Sequence, residues 1–293
     1  MASPGVVEAI DDRRAAGAAL LTARRRLART GIRTAALDAE VLLAHVLSST
    51  REGLLAHPER RLTSAQARRF SGLVSKRASR MPVAYLTGNK EFYGLGLRVT
   101  PRVLIPRPET ELLVELAIDF LNGHPDATRV IDLGTGSGAI AVAIGRRVPS
   151  VRVEASDVNL PALRVAAGNV RAHRLVSRVR LTRRDLLEGA SPADLIIANL
   201  PYLSAVQRRR WQPELSYEPA QALDGGRDGL DLIRRALLQA RGVLKPAGAL
   251  LLELDPSQAG RVERLARAHW PAAKITIHVD LSGRARALRV LRP

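Results

Sequence analysis

From Glu109 onward the chain alternates short β-like apolar runs with helical segments, and this alternation constrains the fold more than any other feature. Val130–Leu133, Val151–Ala155, Val179–Thr182, Leu195–Ala198 and Ala249–Leu254 read as strands, most with a helix between them. Strands joined by helices pair in parallel and need cover on both faces. The last two runs, Ile275–Val279 and Ala287–Leu291, are separated only by turn-like residues from Asp280 to Arg284, too few for a crossover helix. They are expected to pair antiparallel. The expected class is α/β: a mostly parallel seven-stranded sheet ending in an antiparallel hairpin.

The upstream residues follow a different rhythm. From Asp12 to about Ser79 the pattern is helical, with Leu37, Val41, Ala44 and Leu47 spaced for one buried face. Thr63 and Gln66 form a candidate capping box before a helix over Ala65–Val74. Between these halves Pro82, Gly88, Gly94, Gly96, Pro101, Pro106 and Pro108 interrupt any helix around β-like runs such as Leu97–Val99, which suggests a hairpin. A chain of 293 residues is long enough for two cores. The expected division is a helical bundle over 1–88, a β-hairpin linker over 89–108 and an α/β domain over 109–293.

Composition narrows the chemistry. With no cysteine, disulfides, thiolate metal sites and cysteine nucleophiles are excluded. The six histidines, at 45, 57, 124, 173, 269 and 278, are too dispersed to form a local metal cluster, and no metal is expected. No apolar run approaches the roughly 20 residues that span a bilayer. The segment Met1 to Arg14 has no signal-type apolar core, so the expectation is a cytoplasmic protein without membrane contact. The net charge of +18 is almost all arginine, because only four of the 46 basic residues are lysines. A polyanionic partner such as RNA or the ribosome would reward that excess, whereas arginines scattered over solvated helices need no partner. Arg24–Arg26 and Arg208–Arg210 are the clusters where a specific contact is most plausible.

Asp132-Leu133-Gly134-Thr135-Gly136-Ser137-Gly138 joins the first strand of the alternating region to a helix beginning at Ala139. Glycines there allow a tight turn that brings backbone amides against a ligand. The run with Ala139 also satisfies a relaxed dinucleotide pattern, and a purely structural turn is a further alternative. Asp157, 19 residues after Gly138, stands where a carboxylate can accept both ribose hydroxyls of an adenosine ligand. Asp185 and Leu186 could meet an adenine amino group and ring, or cap a helix. Asp132 suits a cationic ligand better than a pyrophosphate.

At the end of the fourth strand, Asn199-Leu200-Pro201-Tyr202 puts a carboxamide, an extended backbone and an aromatic ring at the edge where open α/β sheets bind ligands. A planar NH2 is a weak nucleophile because its lone pair is delocalised. A site that alkylates it needs two acceptors for its N–H groups, and the Asn199 side-chain oxygen and Leu200 carbonyl can supply them while Tyr202 packs on the flat group. A strand ending in a proline turn with a buried tyrosine would look the same.

The C-terminal part resembles the Rossmann-like class I S-adenosylmethionine-dependent methyltransferases, and Asn199–Tyr202 resembles the (N/D)PPY signature of enzymes that methylate adenine N6 or glutamine N5. Leu200 replaces the first proline of that signature. Pro82–Gly88, Glu91–Leu95, Val103–Glu111, Asp224–Asp231 and Asp280–Arg284 are similar to stretches that mark the protein-(glutamine-N5) methyltransferases acting on peptide chain release factors. Glu253-Leu254-Asp255-Pro256-Ser257-Gln258 departs from that family, which more often has a glycine after the strand.

The resemblance implies methylation of the glutamine of a Gly-Gly-Gln tripeptide on class 1 release factors, with S-adenosylhomocysteine as the other product and residues 1–88 docking the substrate. It implies a cofactor site at Asp132, Gly134, Thr135, Gly136, Ser137, Gly138, Asp157, Asp185, Leu186 and Asn199. Asn199, Leu200, Pro201 and Tyr202 would form the catalytic and substrate-binding group, with Arg107 and Glu109 contributing from a proline-rich cover. Two other readings remain. One is a nucleic-acid adenine-N6 methyltransferase, opposed by an aromatic content of only 3%. The other is an RNA-binding protein with a vestigial methyltransferase fold.

Overall fold

Seven strands form one sheet in the order β5-β4-β3-β6-β7-β9-β8. They are β3 (Arg129–Leu133), β4 (Arg152–Asp157), β5 (Val179–Arg183), β6 (Ala193–Ala198), β7 (Leu244–Glu253), β8 (Lys274–Val279) and β9 (Ala285–Leu291). Pairing is parallel from β5 through β7 and antiparallel for β7 with β9 and for β9 with β8. In this computed structural model the described residues are 15–208 and 212–293. Met1–Arg14 and the Arg209 and Arg210 of the second arginine cluster lie outside them. The chain divides into two units, Met1–Gly88 and Asn89–Pro293.

Both faces of the sheet are apolar because alternate residues of each central strand enter different cores. Val130, Leu195, Ile197, Ala249 and Leu251 join one core, and Ile131, Leu133, Ile196, Ala198, Leu250 and Leu252 join the other. The first core is covered by α6 (Glu111–Gly123), α7 (Ala139–Arg147) and α8 (Leu160–Ala172). The second is covered by α9 (Asp231–Val243) and α10 (Ala259–His269). In α9 the buried residues Ile233, Ala236, Leu237, Ala240 and Val243 make the stripe expected of a helix lying on a sheet.

The strand expected at Ala249–Leu254 begins earlier, at Leu244. Leu244 pairs with Ala193 and Ala249 with Leu195, so Lys245–Gly248 bulge out between them. Pro246 and the left-handed Ala247 (φ 58°) sit in this bulge, where a missing ladder donor costs little.

Before the sheet, β1 (Asn89–Phe92) and β2 (Leu95–Arg98) pair antiparallel through Tyr93-Gly94. Both turn residues have positive φ, 52° and 74°, as a two-residue turn matched to strand twist requires. Asn169 of α8 secures the hairpin: its amide accepts from Arg98 N and donates to the carbonyls of Arg98 and Ser137.

The first unit contains α1 (Ala16–Arg29), α2 (Ala35–Leu47), α3 (Arg51–Ala56), α4 (Ser64–Ala78) and α5 (Val83–Thr87). The Thr63–Gln66 capping box is present at α4. The buried face of α2 includes Ala44 and Leu47 of the expected spacing, while Val41 is half-buried and Leu37 faces out. Leu37 is 43% exposed, and Ala35, Asp38, Ala39, Leu42, Leu43 and Val46 turn inward with Ala44 and Leu47. The inward side also carries a buried ion pair: Arg77 Nε lies 2.7 Å from Asp38 Oδ2, both side chains below 10% exposure. Ala35, Ala39 and Leu42 flank Asp38 on the buried side of α2. Removing one partner of a buried pair strands the other. Asp38→Ala is therefore expected to destabilise this unit by about 3–5 kcal/mol, read as a lower urea midpoint, and an unchanged midpoint would refute the assignment.

Candidate active site

Sheet register builds the site. Ser156, Leu133, Ala198 and Leu252 lie in one row across β4, β3, β6 and β7. The residues that follow them, Asp157, Gly134, Asn199 and Glu253, therefore emerge together at the carboxyl edge, where open α/β sheets hold ligands. A cavity of about 720 Å³ opens there. Among the residues singled out from the sequence, Gly134, Gly136, Asp157, Asp185, Leu186, Asn199, Leu200 and Pro201 line it.

The glycine turn is held from beneath. Gly134, Gly136 and Gly138 all have positive φ (72°, 55° and 82°), a conformation costly for other residues. A Cβ on Gly134 would stand 3.2 Å from Leu200 Cδ2, so the turn and the tetrapeptide pack directly on each other. Asp157 Oδ2 accepts from Gly136 N at 3.0 Å, while Oδ1 accepts from Asn159 N at 2.8 Å. Burial raises the Asp157 pKa against these hydrogen bonds.

Asp132, Thr135, Ser137 and Gly138 do not line the cavity. Asp132 is 1% exposed, and its Oδ2 accepts from Thr135 Oγ1 at 2.5 Å and Ala141 N at 3.1 Å. Its Oδ1 is buried without a hydrogen-bond partner. Burial pushes this carboxyl up to about 7. Asp185 at the rim is engaged by Arg235, 2.7 Å away.

Asn199 donates its Nδ2 to Thr110 Oγ1 at 2.9 Å, and Thr110 donates to Glu253 Oε2 at 2.6 Å. Tyr202 is not in the cavity wall. Its ring packs against the core of α9 and α10, and its hydroxyl donates to Glu253 Oε1 at 3.2 Å. Burial and the adjacent carboxylate raise the Tyr202 pKa, keeping the phenol neutral.

Arg107 is held by the buried Glu218 carboxylate, which also accepts from Ile105 N at 3.1 Å. Glu109 lies 3.9 Å from Arg286. Neither Arg107 nor Glu109 lines the cavity, whereas their neighbours Arg102, Val103 and Leu104 do.

Asp224-Gly225-Gly226 also forms part of the wall, a contribution the sequence left without a role. A Cβ on Gly225 would fall 2.8 Å from Pro201 O and Tyr202 Cα, so only glycine permits this approach. Adjacent glycines outside a helix were the available signal. Gln258, in the segment that departs from the family pattern, is 1% exposed and donates Nε2 to Tyr202 O at 2.9 Å.

A seven-stranded sheet with this order, a glycine turn after β3 and a carboxamide after β6 is a methyltransferase architecture. Solved structures agree on the fold. The chain aligns with the hMettl16 catalytic domain in complex with MAT2A 3'UTR hairpin 6 (TM-score 0.54, 18% identity, 79% of this chain and 85% of that one). It also aligns with a methyltransferase from Pyrococcus furiosus (TM-score 0.50, 17% identity, 78% and 99%).

Sequence comparison is more specific. Residues 18–88 match the PrmC N-terminal domain and residues 110–226 the methyltransferase small domain. A release factor glutamine methyltransferase from Moorella thermoacetica is 41% identical over 94% of this chain and 97% of its own. The counterpart from Deinococcus radiodurans is 38% identical over 93% and 97%, and that from Bordetella pertussis 43% over 79% and 86%. The chain belongs to the release factor glutamine methyltransferase family, and it is a methyltransferase.

The Asp132 carboxyl gives a testable pH dependence. Its folded pKa is raised, so its contribution to stability is fully present below the ordinary carboxyl range and is lost as pH rises through about 7. Asp132→Asn does not titrate. The stability of this variant relative to wild type should therefore rise between about pH 4 and 7 and level off above, and a flat difference in urea midpoints would contradict the burial argument.

Proposed function

We propose that this enzyme transfers the methyl group of S-adenosylmethionine to the side-chain amide nitrogen of the glutamine in the Gly-Gly-Gln motif of class 1 release factors. The observation that carries the proposal is Asn199: it lines the cavity while its Nδ2 is committed to Thr110, leaving Oδ1 without a protein donor among the described residues. The release factor as substrate is supported by the names of relatives about 40% identical over most of the chain. The first unit is the part assigned to docking that protein.

The residues present fit the cofactor. Gly134 and Gly136 bring backbone to the cavity wall, and Asp157 stands there to accept from ribose hydroxyls. The partnerless Oδ1 of Asp132 lies beneath the turn, where an ammonium group would favour its ionised form. Asp185 and Leu186 lie where an adenine edge and ring would be met. S-adenosylmethionine supplies an electrophilic methyl on a sulfonium.

Asn199 Oδ1 and the Leu200 carbonyl accept from the two N–H bonds of the target amide. They favour the more pyramidal nitrogen whose lone pair is available for attack, because that nitrogen becomes the better donor as it gains positive charge. No base must remove a proton beforehand, since the nitrogen becomes acidic only after the new bond forms.

Asn199→Ala should lower turnover by about 10²–10³-fold with little change in cofactor affinity, the loss typical of one preorganised polar contact. The assay is mass spectrometry of purified release factor and of bulk nucleic acid after incubation with enzyme and labelled cofactor. One added methyl on the Gly-Gly-Gln peptide is the expected result. Label on adenine instead would overturn the substrate assignment, and undiminished activity of the variant would overturn the role of Asn199.

A further inference from the structure

Glu253 ends β7 at 2% exposure and does not line the cavity, yet both of its oxygens are engaged by residues that lead to the tetrapeptide. Oε2 lies 2.6 Å from Thr110 Oγ1 and Oε1 3.2 Å from the Tyr202 hydroxyl. An ionised carboxylate only accepts, so Thr110 spends its single proton on Glu253. The Thr110 oxygen can then only accept from Asn199, 2.9 Å away. Of the two ends of a carboxamide, only the NH2 can supply that proton. The direction of the whole chain is therefore set at its buried end.

We propose that Glu253 is a positioning residue which, acting through Thr110, locks the Asn199 carboxamide with Oδ1 toward the substrate amide while its second oxygen anchors Tyr202. This inference rests on the function proposed above and adds what orients its acceptor. Without such a lock, a carboxamide at a cavity wall can turn over and present NH2 to the NH2 of the substrate, placing donor against donor. Thr110 is itself buried, at 4% exposure, in the turn that opens α6, whose apolar face fixes it against the sheet.

The lock is conditional on charge. Burial pushes the Glu253 carboxyl up to about 6, against the hydrogen bonds from Thr110 and Tyr202 and the positive charge of Arg286, with Glu109 adding to the rise. Tyr202, Arg286 and Glu109 are the titratable groups that act on it, and Asp255 acts on Tyr202 from the loop that follows β7. Above about 6 the carboxylate imposes the orientation. Below it the protonated group can donate to Thr110, Thr110 can donate onward, and Asn199 is free to turn.

The test compares full-length wild type with Thr110→Val, Thr110→Ser and Glu253→Gln, using purified class 1 release factor and S-adenosylmethionine. Thr110→Val should lower kcat by about 10–100-fold, the usual cost of removing a group that orients a functional side chain, with cofactor affinity changed by less than about 2-fold. Thr110→Ser retains the hydroxyl and should recover kcat to within about 3-fold of wild type. Glu253→Gln can still accept from Thr110 through its oxygen while its NH2 faces Tyr202, but it does not titrate. Its kcat should lack the acid limb expected of wild type near pH 6.

A second readout needs no substrate. The side-chain amide resonance of Asn199, assigned by its loss in Asn199→Ala, should shift with a midpoint of about 6 in wild type and stay constant in Glu253→Gln. A wild-type kcat in Thr110→Val, or an Asn199 resonance that ignores pH in this range, would overturn the relay. A wild type that leaves release factor unmethylated would overturn only the proposed function, because the resonance still reports on the lock.

Discussion

Parallel pairing of β4, β3, β6 and β7 is the constraint from which the site follows. The central strands β3, β6 and β7 feed apolar residues into both cores, so a slip of one residue would exchange the side chains of the two. Register is thereby fixed, and it places Asp157, Gly134, Asn199 and Glu253 one step beyond a common row. Polar groups collect at this edge because the ladder ends there, leaving backbone and cavity to satisfy them. The chemistry and the core are specified by the same alternation.

Two buried carboxyls flank the proposed reaction space in contrasting surroundings. Asp132 lies beneath the glycine turn with one oxygen unpartnered. Glu253 has both oxygens satisfied by hydroxyls. Burial raises both, and a cation brought near Asp132 would restore its ionised form. One carboxyl answers the charge of the proposed cofactor, and the other governs the neutral hydrogen bonding of the proposed substrate.

The sheet, the glycine turn and the tetrapeptide were legible because each is local: a periodicity, a turn chemistry or a short run at a strand end. What connects them was not. Thr110 and Asn199 are 89 residues apart and Thr110 and Glu253 are 143, and no pattern within one segment encodes that encounter. The same limit applies to Asp38 and Arg77, whose buried pairing spans 39 residues. Arg107 is an intermediate case. Its charge drew attention to the right segment, but the partner that engages it, Glu218, is 111 residues away. The Lys245–Gly248 bulge escaped notice because proline and glycine mark turns and bulges alike.

Leucine at position 200 is explained by the way the tetrapeptide is held. Proline in the resembling signature fixes φ by its ring, whereas here the extended path is imposed from outside. Pro201 biases residue 200 away from helical geometry. The segment beyond it is bound by Leu203 N to Leu223 O at 3.1 Å, by Gly225 N to Leu203 O at 3.0 Å and by Gln258 Nε2 to Tyr202 O. Leu200 adds a side chain that the ring could not, buried at 4% and packed over Gly134. That contact joins the proposed cofactor turn to the proposed substrate acceptor, so the carbonyl of residue 200 keeps its place through packing and neighbouring hydrogen bonds and does not depend on a ring of its own.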